Sequence, residues 1–222
     1  MLIDTHSHIY DEVFDGDRDA VVARAREAGV GRILLPAVDG HSYGAMFETA
    51  RRYAGYCFPM MGLHPTSVND NPRYRDDLER VARLLEVPPD GIRFCGVGEV
   101  GLDLYWSRDF ADEQLEALRF QIELALRYGL PLVIHTRDAW DEMCGVLEEY
   151  RGQGIGTDLV KIFIGVMEEK NYPNMFIMTS QFNTGAKRLY QSLGFQPKCL
   201  LHDVIRKGVS EWLFMRPNRK LA

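Results

Sequence analysis

The residues able to do chemistry sit in short, separated stretches. "DTHSH", residues 4–8, places His6 and His8 two apart. Positions i and i+2 of a strand share a face, so both imidazoles can reach one ion. Neutral imidazole is a good ligand for zinc or manganese. Two polar residues at a strand end would look the same. "GVGEVGLD", residues 96–103, sets Glu99 among apolar neighbours and crowding glycines. A buried carboxylate is costly unless it is paired or bound to a metal. Backbone N–H groups in the glycine turn, or an arginine, are the other partners open to it. His135 closes the apolar run "LPLVIH", ahead of Thr136, Arg137 and Asp138, and His64 stands in "GLHP". Each alone reads as a capped strand end as readily as a ligand. Together, candidate ligands at the ends of separate strands match the rim where parallel α/β barrels build active sites.

A different chemistry is written at residues 151–156, "RGQGIG". Glycines let successive backbone N–H groups close on a pyrophosphate, and the positive end of a following helix adds attraction. A loop leading into a helix without any ligand is the other reading.

These groups need elements to position them. Up to about residue 137, the apolar runs "MLID", "GRILLPAV", "GYCFPMMGLHP", "FCGVGEVGLD" and "LPLVIH" alternate with helical patterns. Five strand–helix units in series predict a parallel α/β fold, barrel or doubly wound. In "ADEQLEALRFQIELALRYG", Leu115, Leu118, Ile122, Ala125 and Leu126 recur at helical spacing, with Gly129 and Pro131 as stop signals. After about residue 153 the rhythm changes. A helix burying Leu159, Val160, Phe163, Val166 and Met167 is expected first. The strand "NMFIMTS" follows, then a short helix behind Asn183. An antiparallel pair around Arg206-Lys207-Gly208 closes the pattern. The junction "GVLEEYRGQGIG" suits either the end of a fifth barrel helix or a strand before a glycine turn.

Bulk properties narrow the classes. The formal charge of −6 over 222 residues gives no basic footprint for non-specific nucleic-acid binding. It leaves room for a phosphate site built on metal ions. Four scattered cysteines with no C-x-x-C argue against a disulfide framework and a cysteine zinc site. No apolar run reaches membrane-spanning length, and the first residues lack a leader pattern. The expectation is a cytoplasmic protein with no membrane partner.

"DTHSH", "GLHP", "GEVGLD" and "LPLVIHTRDA", in that order, resemble the TatD family of metal-dependent hydrolases from residue 1 to about 150. The resemblance implies a (β/α)8 barrel whose two-metal centre cleaves phosphodiesters and acts as a deoxyribonuclease. On this chain it implies divalent ions (Zn, Mg or Mn). His6 and His8 would hold one, His135 the second, and Glu99 would bridge both as the catalytic carboxylate. His64 and Arg137 would line the substrate site and meet the phosphate of a diester such as a DNA end. The family's further histidine after a sixth strand and aspartate after an eighth have no counterpart here; His202 and Asp203 stand in a different context. Five units cannot close an eight-stranded barrel, and two-metal hydrolysis relies on both ions. A partial TIM-type barrel with impaired hydrolysis is therefore expected. Its open sheet edges invite pairing with a second copy into a homo-dimer.

Residues 151–222 resemble the GNAT-type N-acetyltransferases, through "RGQGIG", Asn183 and "YQSLGF". That resemblance implies acetyl-CoA held by Arg151, Gly152, Gln153, Gly154, Gly156, Thr157 and Asn183. It also implies Tyr190 as proton donor to the departing thiolate. The layout expected is α/β: a TatD-like half-barrel over 1–150, then a GNAT-like αβαββ segment over 151–222. An acetyl-CoA-dependent N-acetyltransferase, or a non-catalytic chimera of the two families, is the alternative to a hydrolase.

Overall fold

The computed structural model describes residues 2–150, 152, 154–204, 207–218 and 220. They fall into two compact units, Met1–Glu149 and Tyr150–Ala222. In the first, strands β1 (Leu2–Asp4), β2 (Val30–Leu35), β3 (Cys57–Pro59), β4 (Val97–Asp103) and β5 (Leu132–Arg137) alternate with helices. The helices are α1 (Arg18–Glu27), α2 (Tyr43–Arg52), α3 (Tyr74–Glu86), α4 (Ala111–Tyr128) and α5 (Trp140–Glu149). β1, β2 and β3 pair in parallel, as do β4 and β5. A parallel bridge from Met61 to Val97 joins the two sets. The strands thus run side by side in chain order with no reversal. That is the order of a barrel wall rather than of a doubly wound sheet.

β4 lies between the β3 side of this wall and β5, and all seven of its residues are buried. Its glycines explain how closely it lies against β5. A Cβ on Gly98 would stand 2.7 Å from the Cβ of Val133, and one on Gly101 would stand 1.9 Å from the carbonyl oxygen of His135. β1 and β5 end the row, and their apolar residues Leu2, Ile3 and Ile134 are exposed.

α4 covers the wall from outside. Asp112 and Glu113 occupy its first turn, where the helix dipole favours acids, and Gly129 ends it in a left-handed conformation (φ 61°). Leu118, Ile122 and Ala125 are buried as the spacing predicts, but Leu126 is exposed. Two glutamines share the buried face instead. Gln121 accepts from Leu63 N–H (2.7 Å) and donates to Leu63 C=O (3.1 Å). Gln114 accepts from Asp103 N–H (2.8 Å) and donates to Asp103 C=O (3.0 Å) and Asn69 Oδ1 (2.7 Å). Each side chain satisfies backbone groups, at the end of β4 or in the loop beyond β3, that would otherwise be buried and unpaired.

The second unit holds α6 (Ile155–Glu169), β6 (Asn174–Ser180), α7 (Thr184–Ser192), β7 (Gln196–His202) and β8 (Ser210–Pro217). β7 and β8 form the expected antiparallel pair, and β8 also pairs with β6, giving the order β6-β8-β7. Val160, Met175, Phe195 and Phe214 make its core, with Phe163, Met167 and Tyr190 packed on it. Leu159 and Val166, expected to be buried, are exposed. They lie on the side of α6 turned from that core, because 3.6 residues per turn cannot bring every apolar position to one stripe. At the junction, Gly145–Glu149 is the last part of α5, so "GVLEEY" forms no strand before the glycine turn.

The glutamine clamp is testable. Gln114→Leu keeps the volume but leaves the Asp103 peptide groups buried without partners. It should cost about 1–3 kcal/mol, read from denaturant midpoints.

Candidate metal centre

β1 ends at Asp4, so His6 and His8 lie in the loop beyond it and not on the strand. Strand parity is therefore not what brings them together. Asp4 Oδ1 accepts the His6 N–H (3.1 Å), and Ser7 N–H donates to Leu34 C=O (3.1 Å), which draws the loop across the end of β2. The two Nε2 atoms still come within 3.2 Å of each other.

Both face Glu99, the third residue of β4. Glu99 Oε2 lies 3.0 Å from His6 Nε2 and 3.7 Å from His8 Nε2. Its other oxygen, Oε1, lies 2.9 Å from His135 Nδ1 and 3.9 Å from His64 Nε2. One carboxylate thus separates two groups, His6–His8–Glu99 and His64–Glu99–His135. Within each, the possible ligand atoms lie inside 4.8 Å of one another. His6, His8 and His135 around a buried carboxylate are a donor set suited to divalent transition metals.

Neighbouring groups decide which nitrogen each ring presents. Tyr10 Oη donates to Pro36 C=O (2.6 Å), so it accepts from His8 Nδ1 (2.8 Å) and leaves the His8 Nε2 lone pair facing Glu99 and His6. Asp103 Oδ2 lies 3.0 Å from His135 Nε2, which fixes that proton and turns Nδ1 towards Glu99. Asp103 is 2% exposed, so this carboxylate is as buried as the strand that carries it. At His64, Nδ1 accepts the Thr66 N–H (3.2 Å) in the short turn Pro65–Ser67. Its ring proton then sits on Nε2, which makes that atom a donor.

The electrostatics follow. Burial alone would raise the pKa of Glu99. The facing imidazoles of His135 and His8, then His6 and His64, outweigh it and hold the carboxyl far below the usual range. Burial pushes His64 down to about 4, against the pull of Glu99, so its ring is neutral at pH 7. The hydrogen bond to Glu99, partly opposed by burial and helped by Asp103, raises the pKa of His135.

Arg137 sits two residues beyond His135, with its guanidinium carbon 3.7 Å from the centroid of the Tyr105 ring. The second unit arranges its candidates differently. Asn183 caps α7, its Oδ1 accepting the Ala186 N–H (3.0 Å). The Tyr190 ring packs 5.7 Å from that of Phe214. Gly152 and Gly154 have left-handed backbones and Gly154 caps α6, while a Cβ on Gly156 would meet Leu189 at 3.7 Å. Thr157 is half-buried within α6. Arg151 and Gln153 lie outside the described residues.

Tyr10 and Asp103 are the site residues that motif reading passed over. Asp103 carried a signal: Glu99 and Asp103, four apart on one strand, share a face. The parity of β5 against β4, with His135 opposite Gly101, completes it.

Residues 3–171 match the family model of the TatD-related DNases. The chain belongs to that family. Over 168 residues it is 31% identical to YabD, an uncharacterised metal-dependent hydrolase of Bacillus subtilis, covering 76% of this chain and 63% of that protein. Over 157 residues it is 31% identical to the 3'-5' ssDNA/RNA exonuclease TatD of Erwinia billingiae, covering 70% of this chain and 57% of that one. The crystal structure of the TatD homologue YjjV from Escherichia coli matches with a TM-score of 0.58 at 33% identity, over 67% of this chain and 55% of the other. This TatD-related chain therefore spans between half and two thirds of the length of these relatives. Residues 141–203 match a second model, FR47-like protein, so a GNAT-like segment follows the TatD-like part. Among the described residues no helix is long and apolar enough to cross a membrane.

Two outcomes check this geometry. Tyr10→Phe removes the acceptor that holds the His8 tautomer. Zn2+ or Mn2+ affinity should fall about 10- to 100-fold by calorimetry, and the metal-free protein should lose about 1–3 kcal/mol of stability, because the buried Pro36 C=O loses its donor. Because the pKa of His135 is raised, its proton persists to higher pH than an ordinary imidazole's, and ligation must release it. Calorimetry in two buffers of different ionisation enthalpy near neutral pH should therefore show proton release on metal binding, and affinity should fall as pH is lowered.

Proposed function

We propose that the first unit is a divalent-metal site for phosphodiester hydrolysis acting on polynucleotide ends, with activity reduced relative to the relatives whose length it spans in part. The observation that carries this reading is the single carboxylate, Glu99, shared between two groups of imidazoles. His6, His8 and Glu99 form a two-histidine, one-glutamate set, which suffices for a zinc-type site with one position left for water. His135 with Glu99 would hold a second ion more weakly, since the later family ligands have no counterpart in this sequence. Imidazole-rich donors favour Zn2+ or Mn2+ over Mg2+.

When bound, such ions supply Lewis acidity to the phosphodiester and to the water that attacks it. The chain's own residues then have separate tasks. Glu99 fixes the spacing of the two ligand groups. Asp103 and Tyr10 fix ring orientation. His64 offers an Nε2–H, and Arg137 a positive charge, to the phosphate. The nucleic-acid substrate rests on the activity named for the Erwinia billingiae relative. The exposed edges β1 and β5 support self-association, which light scattering coupled to size exclusion would report as a dimer mass.

Elemental analysis of the purified chain and cleavage of a short single-stranded oligodeoxynucleotide test the reading. About one tightly held Zn2+ or Mn2+ per chain and chelator-sensitive cleavage are expected. Glu99→Gln and His6→Ala should each lower the rate by about 100-fold or more. A chain that takes up no metal and cleaves nothing after incubation with either ion would overturn it.

A further inference from the structure

Beyond Asp103 the chain carries two large aromatic side chains that the metal chemistry does not use. Tyr105 is 52% exposed and Trp106 is 69% exposed. Their rings meet edge to face, with centroids 4.9 Å apart at 84°. The Arg137 guanidinium lies over the Tyr105 ring at 3.7 Å and 5.4 Å from the Trp106 centroid. Among the described residues no carboxylate is paired with Arg137. The cation–π contact holds the guanidinium against the rings and leaves exposed ring surface open to a flat partner and the guanidinium's outer N–H groups open to an anion.

The cluster is tied to the candidate metal centre by short links. Asp103 Oδ1 accepts the Tyr105 N–H (3.2 Å), while Oδ2 of the same carboxylate faces His135 Nε2 (3.0 Å). Leu104 N–H donates to Arg137 C=O (2.9 Å), and Asp103 is the register partner of Arg137. One carboxylate therefore sets both the metal-facing imidazole and the aromatic loop beside it.

We propose that Tyr105, Trp106 and Arg137 form a stacking subsite for an unpaired nucleobase of a single-stranded polynucleotide, beside the bond to be cut. The subsite rests on the polynucleotide reading of the metal centre. The base stacks on an exposed ring face, and the guanidinium, held against Tyr105, directs its remaining N–H groups to the adjoining phosphate. A base stacked inside a duplex has neither face free, so the subsite selects single strands and frayed ends. Stacking tolerates any base, because each has a π face.

The test uses the full chain bearing Glu99→Gln, with Mn2+ present, and measures binding by fluorescence anisotropy. Two probes are compared: a labelled eight-nucleotide thymidine strand and an abasic strand of equal length. The Glu99→Gln parent should bind the thymidine strand more tightly than the abasic one. Adding Trp106→Ala or Tyr105→Ala should weaken thymidine binding roughly 5- to 100-fold, the range of one lost stack. The ratio between the two probes should fall towards one, and Trp106→Phe should restore most of it. Equal binding of both probes by the parent overturns the subsite, and so does absence of binding both by this parent and by the unsubstituted chain in chelator. So does an alanine variant that weakens both probes alike. The reading of the metal centre fails by a separate route. If no metal is taken up and nothing is cleaved while base-dependent binding persists, the hydrolase assignment falls and the subsite stands.

Discussion

The Glu99 carboxylate faces His6 and His8 through one oxygen and His135 and His64 through the other. Placing an acid in the middle of a buried strand is unfavourable by itself, and here the surrounding imidazoles reverse the balance. The geometry around it is a set of consequences. β4 must be buried at every position to bring the carboxylate in. β5 must lie close enough for His135 to reach it, which the absent Cβ atoms of Gly98 and Gly101 allow. The loops after β1 and β3 must then bend inward to complete the cluster.

The second layer is made of hydrogen bonds that orient the rings. Tyr10 holds His8, Asp103 holds His135, and the Thr66 N–H faces His64. None of these groups needs to touch an ion to matter, since a ring turned the wrong way offers a proton where a lone pair is required. Asp103 links this layer to the aromatic loop, so disturbance of that one buried side chain would be felt in both places.

Much of this was legible in the sequence. The five βα units and the four motif segments carry strong local signals: short apolar runs, helix stops at Gly129 and Pro131, and histidines at strand ends. What escaped is what depends on partners distant in sequence. His6 and His8 were expected on a strand, yet β1 stops at Asp4 and hydrogen bonds to the loop do the positioning. Leu126, Leu159 and Val166 fit a helical period but not the stripe that the packing selects. Buried Gln114 and Gln121 look like surface residues until the peptide groups they satisfy are known. The junction could not be read locally either. The TatD-related and FR47-like matches overlap across residues 141–171, and the backbone there is helical up to Glu149.

Gln114 and Gln121 grip main-chain atoms at Asp103 and Leu63, and the side chains of those two residues take no part in the grip. Evolution can therefore rewrite much of the rim that follows, changing what is recognised there, while the anchor points stay where they are. A library that randomises the rim and leaves α4 intact would explore new specificities on an unmoved foundation.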